Sequence, residues 1–129
     1  MEYVPPQLVV DVSVLSLKVD PSTFTVREAV ELYVATYNQQ FANVAHQVRK
    51  RTRLQRFLTH LEASHHSMHV ADLTLADGQG FLDALVKQDG TPFASSVRQD
   101  HQSVLRTFSR FLYQAGLLCE DIFFALAID

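Results

Sequence analysis

The amino-acid sequence predicts an all-α fold, a single bundle of four to five helices. Three observations carry this expectation. Apolar residues recur every three to four positions in four separate segments, the period of a helix that buries one face. Three of these segments open on a hydroxyl residue followed three positions later by an acid or amide, the signature of a capped helix start. Beyond residues 1–24 no convincing sheet pattern is present, and the connections are short.

Residues 1–24 read as an arm or extension ahead of the bundle. Pro5 and Pro6 oppose a helix there, and Val10–Val14 partly alternates, so a short strand or extended arm is expected. The helical domain then spans residues 25–129. Helix 1 starts at Thr25, where Thr25-Val26-Arg27-Glu28 forms a capping box. Val26, Ala29, Val30, Tyr33 and Tyr37 make its apolar face, and it should fade near Asn38–Gln40. Helix 2 is expected from about Asn43 to Leu61, roughly 27 Å long, with Gln47, Leu54, Phe57, Leu58 and Leu61 on one side. A His-rich connection follows at Ser64–His69.

Helix 3 should begin at Thr74, with Asp77 completing a variant capping box and Phe81, Leu82, Leu85 and Val86 turned inward. Gly78 and Gly80 each cost about 1 kcal/mol against alanine, so an irregular first turn is expected. Asp89-Gly90-Thr91-Pro92 is a turn. Helix 4 has the clearest pattern. Ser96-Val97-Arg98-Gln99 reads as its capping box. Val97, His101, Val104, Leu105, Phe108, Phe111, Leu112 and Ala115 share one face, and Gly116 is placed as its stop. A short fifth helix is expected over about Glu120–Ile128. Phe123 and Phe124 cannot both face a small core, so one of them is open to exposure as a docking surface.

The bulk numbers bound the function. The chain has 129 residues, enough for one core but not two, and 47% apolar residues, too many for a disordered protein. No apolar run reaches the 18 residues a membrane span needs. Glu2 stands where a secretion signal would carry positive charge. Cys119 is the only cysteine, which excludes an internal disulfide and a multi-thiolate zinc site and fits a reducing cytoplasm. It has no neighbouring base and reads as a packed thiol. His60, His65, His66 and His69 are of a type that binds metal, but without cysteine or an HExxH motif a polar loop is the plainer reading. His101, inside the apolar face of helix 4, reads as a buried, hydrogen-bonded side chain. No catalytic constellation or cofactor motif stands out, so no enzyme activity and no cofactor are expected of this chain.

Net charge is −3, yet its distribution is uneven. Residues 44–61 hold five bases and no acid, and residues 93–114 hold three bases against Asp100. In the remainder three bases face thirteen acids. Local field, not the total, decides where a polyanion docks. On helix 2, Arg49, Arg53, Arg56 and His60 form one stripe. On helix 4, Gln99, Gln102, Arg106, Arg110 and Tyr113 lie opposite the apolar face, flanked by Arg98 and Ser103. Arginine offers forked donors to phosphates and guanine edges, and glutamine pairs with adenine edges. Six or seven phosphate contacts would give a salt slope of about −5 to −6. Any soluble helix carries a charged stripe opposite its core. The unmixed sign on helix 2 is what separates this chain from that default. Lys50 and Arg51 point nearer the core and rank below Arg49, Arg53 and Arg56 as contacts.

The order of elements resembles the N-terminal core-binding (SAM-like) domain of tyrosine recombinases of the phage-integrase type. Four stretches carry the resemblance: TVREAVELYV at Thr25–Val34, LQRFL at Leu54–Leu58, ADLTLADGQGFLDAL at Ala71–Leu85 and SSVRQDHQSVLRTFSRFLYQAGLL at Ser95–Leu118. It covers about Thr25–Leu126. The resemblance implies a domain that clamps the recombination-site duplex through helices 2 and 4, with Arg49, Arg53, Arg56, Arg98, Gln102, Arg106 and Arg110 on the DNA-facing surfaces. It implies a separate C-terminal catalytic domain holding the arginines, histidines and nucleophilic tyrosine. None of these is matched here, so the chain is expected to be one domain of a longer protein. Other recombinase protomers on the DNA are implied partners, in a cytoplasmic, nucleoid-associated setting. Two positions depart from the pattern: Glu120-Asp121 stands where the family often has Asn-Pro, and Asp100 brings an acid near the basic face. The alternative to a DNA-binding module is a helical protein–protein interaction module of the same architecture.

Overall fold

The computed structural model describes residues 22–38, 44–65, 68–86 and 89–127. Four α-helices form the frame: α1 (Val26–Tyr33), α2 (Val44–His65), α3 (Leu75–Asp83) and α4 (Ser95–Gln114). One π-helical turn, Val34–Asn38, continues α1, and short 3₁₀ turns lie at Val70–Asp72 and Ile122–Ala125. Among the described residues there is no strand, only two isolated antiparallel bridges, Thr25 with His69 and Val86 with Pro92. The all-α expectation therefore holds. Among the described residues no helix is long and apolar enough to cross a membrane. The expected extended segment at Val10–Val14 lies outside the described residues.

The capping boxes at Thr25 and Thr74 form as expected. The Thr25 hydroxyl accepts from the Glu28 amide at 3.1 Å while the Glu28 carboxylate takes the Thr25 amide at 3.0 Å. The Asp77 carboxylate receives the Thr74 amide at 2.8 Å. The third box does not form. α4 starts two residues early, at Ser95, and its N-cap is Ala94 with no side-chain bond. Ser96 lies inside the helix and cannot serve as its cap.

Three boundaries differ from expectation. α2 runs a turn further, to His65, because Glu62 and Ala63 are good helix formers and Arg27 of α1 grips Glu62 in a two-bond fork at 2.7 and 2.9 Å. α3 stops at Asp83, so Val86 leaves the inward face. It is 49% exposed and pairs its backbone with Pro92 across the Asp89 turn. The fifth helix is a single 3₁₀ turn, Ile122–Ala125. α3 itself is regular through both glycines.

The core joins all four helices. Tyr33 of α1 meets Phe108 and Phe111 of α4 edge to face at 5.7 and 5.3 Å. Phe57 of α2 meets Phe81 of α3 and Phe123 of the C-terminal segment at 5.4 and 5.7 Å. At the end of α4 the chain reverses through Gly116, whose φ of 78° suits glycine. The Gly116 amide bonds the Tyr113 carbonyl and the Leu117 amide the Leu112 carbonyl, a Schellman ending. Residues 117–127 then run back along α4 as a strap. Leu117, Phe123 and Leu126 are its buried anchors. Phe124 is 67% exposed, so the two neighbouring phenylalanines do part company. Cys119, expected to be packed, is exposed because it sits on the outer side of this reversal.

Candidate nucleic-acid interface

Four of the five arginine and lysine residues of α2, Arg49, Lys50, Arg53 and Arg56, lie on its side toward α4 and the segment ahead of it. The Arg53 Nε donates to Asp100 at 2.9 Å, with the two side chains 18% and 34% exposed. This pair fixes the seam between the two helices. It also spends part of the Arg53 guanidinium inside the protein. The same contact answers the departure at Asp100: the carboxylate is neutralised by an arginine of the neighbouring helix.

One turn on, Arg56 spreads over the Phe93 ring, 5.2 Å from its centroid. Its Nη1 lies 3.2 Å from Nε2 of His101, a fully buried side chain. A guanidinium can only donate, so Nε2 must carry a lone pair. The ring proton is then on Nδ1, which donates to the Val97 carbonyl at 2.8 Å. Burial is the main cause that pushes the His101 pKa down, and the positive charges of Arg53 and Arg56 push the same way. His101 is thus the buried, hydrogen-bonded histidine the sequence implied, and it holds Arg56 in place.

The Arg49 side chain is exposed and forms no hydrogen bond or ion pair with another described residue. Lys50 is half-buried, and burial lowers its pKa although Asp100 pulls the other way. Together with His46, these residues line a groove between α2 and α4 whose far wall carries Asp100, Ser103 and Thr107. Lys50 therefore belongs with Arg49 rather than below it. Arg51 does not: it lines a different groove, with Val30 and Glu31 of α1.

The α4 stripe has a different fate. Gln102 Nε2 and Arg106 Nη2 both donate to the Leu126 carbonyl, at 2.8 and 2.9 Å. Arg110 reaches Asp121 at 3.5 Å. These three residues brace the strap. At 100° per residue, Asp100 and Arg106 lie about 120° apart around α4, so the two arginine groups flank opposite sides of that helix. Gln99 and Ser103 sit between them and are exposed. Arg98 is half-buried in the first turn, and neither its side chain nor that of Gln99 bonds to another described residue. Tyr113 is 47% exposed beyond Arg110.

The strap is held by residues of α3 and α4 whose roles the sequence hid. Buried Ser109 donates to Asp121 at 2.7 Å and accepts the Phe123 amide at 3.1 Å. Gln79 of α3 pairs twice with the Ala127 backbone, at 2.8 and 3.1 Å. A Cβ on Gly78 would stand 2.7 Å from the Phe123 ring, so the glycine is the notch that seats it. None of these residues is marked by periodicity, because each acts on a segment with no period of its own.

Among the described residues no group of three or more histidine, cysteine or carboxylate side chains could hold a metal. His60 lies against the Phe81 ring and His69 is 3.9 Å from Asp72. His65 and His66 side chains lie outside the description. Comparison of the chain with protein-family models, with curated proteins and with solved structures finds no match.

Proposed function

We propose that this chain is a double-stranded-DNA-binding module, of the kind that tyrosine recombinases carry ahead of their catalytic domain. The observation that carries the reading is the sign of α2. From Val44 to Leu61 it holds five bases and no acid, and its first acid, Glu62, is occupied by Arg27. Arg49, Lys50 and Arg56 occupy the flank of α2 turned toward α4, with Gln99 and Arg98 on the first turn of α4 as the adjoining surface. In this reading the module positions a duplex and catalyses nothing. A separate catalytic domain attacks the DNA, further protomers assemble on it, and the setting is the cytoplasm.

Because Arg53, Gln102, Arg106 and Arg110 are engaged within the protein, about four phosphate contacts remain, which gives a salt slope of about −3 to −4. The test is binding to a random duplex of about 25–30 base pairs. Micromolar or tighter affinity at about 50 mM salt, falling with that slope, supports the reading. Absence of binding at that salt rejects it. A second reading, a protein-interaction module, draws on Phe124, which stands 67% exposed on the 3₁₀ turn of the strap. Phe124→Ser would then abolish partner binding and leave duplex affinity alone.

A further inference from the structure

Arg56 is exposed, yet two contacts fix it. Its guanidinium lies over Phe93, 5.2 Å from the ring centroid, and its Nη1 stands 3.2 Å from Nε2 of buried His101. Phe93 in turn stacks on His101, with ring centroids 6.0 Å apart and planes at 27°. Arginine, phenylalanine and histidine thus form a closed set. Together they use one face and one nitrogen of the guanidinium. Its Nε–Nη2 edge bonds to no described residue. Arg27 grips the Glu62 carboxylate with that same edge, through two bonds. Arg56 keeps open the fork that Arg27 closes on a pair of oxygens.

The set depends on one nitrogen. Nδ1 of His101 carries the ring proton, because it faces the Val97 carbonyl at 2.8 Å. A second proton can enter only at Nε2. There it replaces an acceptor by a donor and sets two like charges against each other across 3.2 Å. The charges around the ring are Arg53 and Arg56 from α2 and Asp100 from its own helix. Asp100 favours the proton, but it is tied to Arg53. α3 contributes the Phe81 ring, against which His60 of α2 also lies.

We propose that this cluster is a protonation-gated clamp: neutral His101 and Phe93 hold Arg56 as a preset fork, and a proton at Nε2 expels the guanidinium. His101 is the positioning residue and Arg56 the binding one. The open fork fits two oxygens of one anion. On the DNA-binding reading above, on which the ligand rests, those oxygens belong to a backbone phosphodiester. Because the fork is set before the duplex arrives, binding is spared the cost of ordering a long side chain.

The test uses the whole chain, ¹⁵N-labelled, at constant ionic strength. At a pH of about 7.5 the Arg56 Nε–H should show the heteronuclear NOE of ordered backbone, and the Arg49 Nε–H that of a mobile side chain. His101 should be in its Nδ1–H form. On acidification toward about pH 5 the Arg56 order should collapse with the same midpoint as the His101 ring, below the ordinary value of about 6.5. The Arg27 Nε–H should stay ordered, since its hydrogen bond to Glu62 holds that carboxyl below its usual range. His101→Gln offers Arg56 a carbonyl that does not titrate, and should keep the order at both ends of the range. His101→Leu should free Arg56 throughout. With a duplex, Arg56→Gln should lower the salt slope by about one unit. His101→Leu leaves the charge in place, so it should weaken binding about two- to tenfold at unchanged slope. A merely structural histidine would not separate affinity from slope.

The clamp is overturned by an Arg56 as mobile as Arg49 at the higher pH, or by a proton on Nε2 there. It is also overturned if Arg56 ignores the titration of His101, or if the chain unfolds before that ring titrates. A mobile Arg56 in a chain that binds duplex ends the clamp and leaves the DNA reading standing. An ordered, gated Arg56 in a chain that binds no duplex keeps the clamp and ends the DNA reading.

Discussion

The arginines of α2 and those of α4 are alike in the sequence, evenly spaced and set opposite or beside an apolar face. In the folded chain they serve different neighbours. Arg53 and Arg56 of α2 meet α4 and its flank, through Asp100, His101 and Phe93, and Arg49 stays open to the groove. Gln102, Arg106 and Arg110 of α4 turn to the strap. The difference teaches that a stripe drawn on one helix shows only which residues miss the core. What covers them depends on segments that carry no helical period.

The largest test of this contrast is Phe123→Ala. Removing a fully buried ring from its glycine notch should cost about 3–5 kcal/mol in urea unfolding. If the strap is the sole reason Arg106 is engaged, the variant should also bind duplex at least as well as the unaltered chain wherever it remains folded. Next is Arg53→Ala, expected to cost about 1–3 kcal/mol because Asp100 keeps its charge in a half-buried seam. The double variant with Asp100→Ala should recover part of that loss. A double-mutant cycle with no coupling would break the claim that this pair joins α2 to α4.

His101 sharpens the comparison through pH. Its folded pKa is lowered, so on acidification the unfolded chain takes up a proton that the folded ring resists. Stability should therefore be lost as pH falls through the ordinary histidine range, near 6.5, with a slope of at most about 1.4 kcal/mol per pH unit for one proton. The loss levels once the folded ring also titrates. His101→Gln should flatten that part of the profile, and an unchanged profile would remove His101 as its source. On the strap side, Gln102→Ala should cost about 1 kcal/mol for one bond to the Leu126 carbonyl. Smallest is Arg110→Ala, at most about 0.5 kcal/mol, since its contact is long and exposed. A loss above 2 kcal/mol would show that Arg110 braces the strap more firmly than its geometry indicates.

Much of the frame was legible because burial writes a period into the chain. Leu54, Phe57 and Leu61 on α2, and Val104, Phe108 and Leu112 on α4, were placed inward by spacing alone, and all are buried. The caps at Thr25 and Thr74 were legible because their chemistry is local. The cap at Ser96 was not: the same residue pattern occurs one position inside the helix, and only the backbone decides. The partners of Arg53 and Arg106 were hidden for another reason. Asp100 is 47 positions from Arg53, and Leu126 offers a carbonyl that any residue would offer. Lys50 and Arg51 illustrate the limit on a single helix. They are adjacent in sequence, yet they line grooves against different neighbours.

The strap runs antiparallel to α4 and is fastened in order, by Ser109 near its start, by Gln102 and Arg106 at Leu126, and by Gln79 at Ala127. A pull on the tail would therefore load these fastenings one at a time rather than in shear. The Gln79 pair would open first, then the Leu126 carbonyl, then the Phe123 plug, and last the Asp121 contacts with Ser109 and Arg110. Each fastening would hand the pull to the helix that bears it, first α3 through Gln79 and then α4 through Gln102 and Arg106.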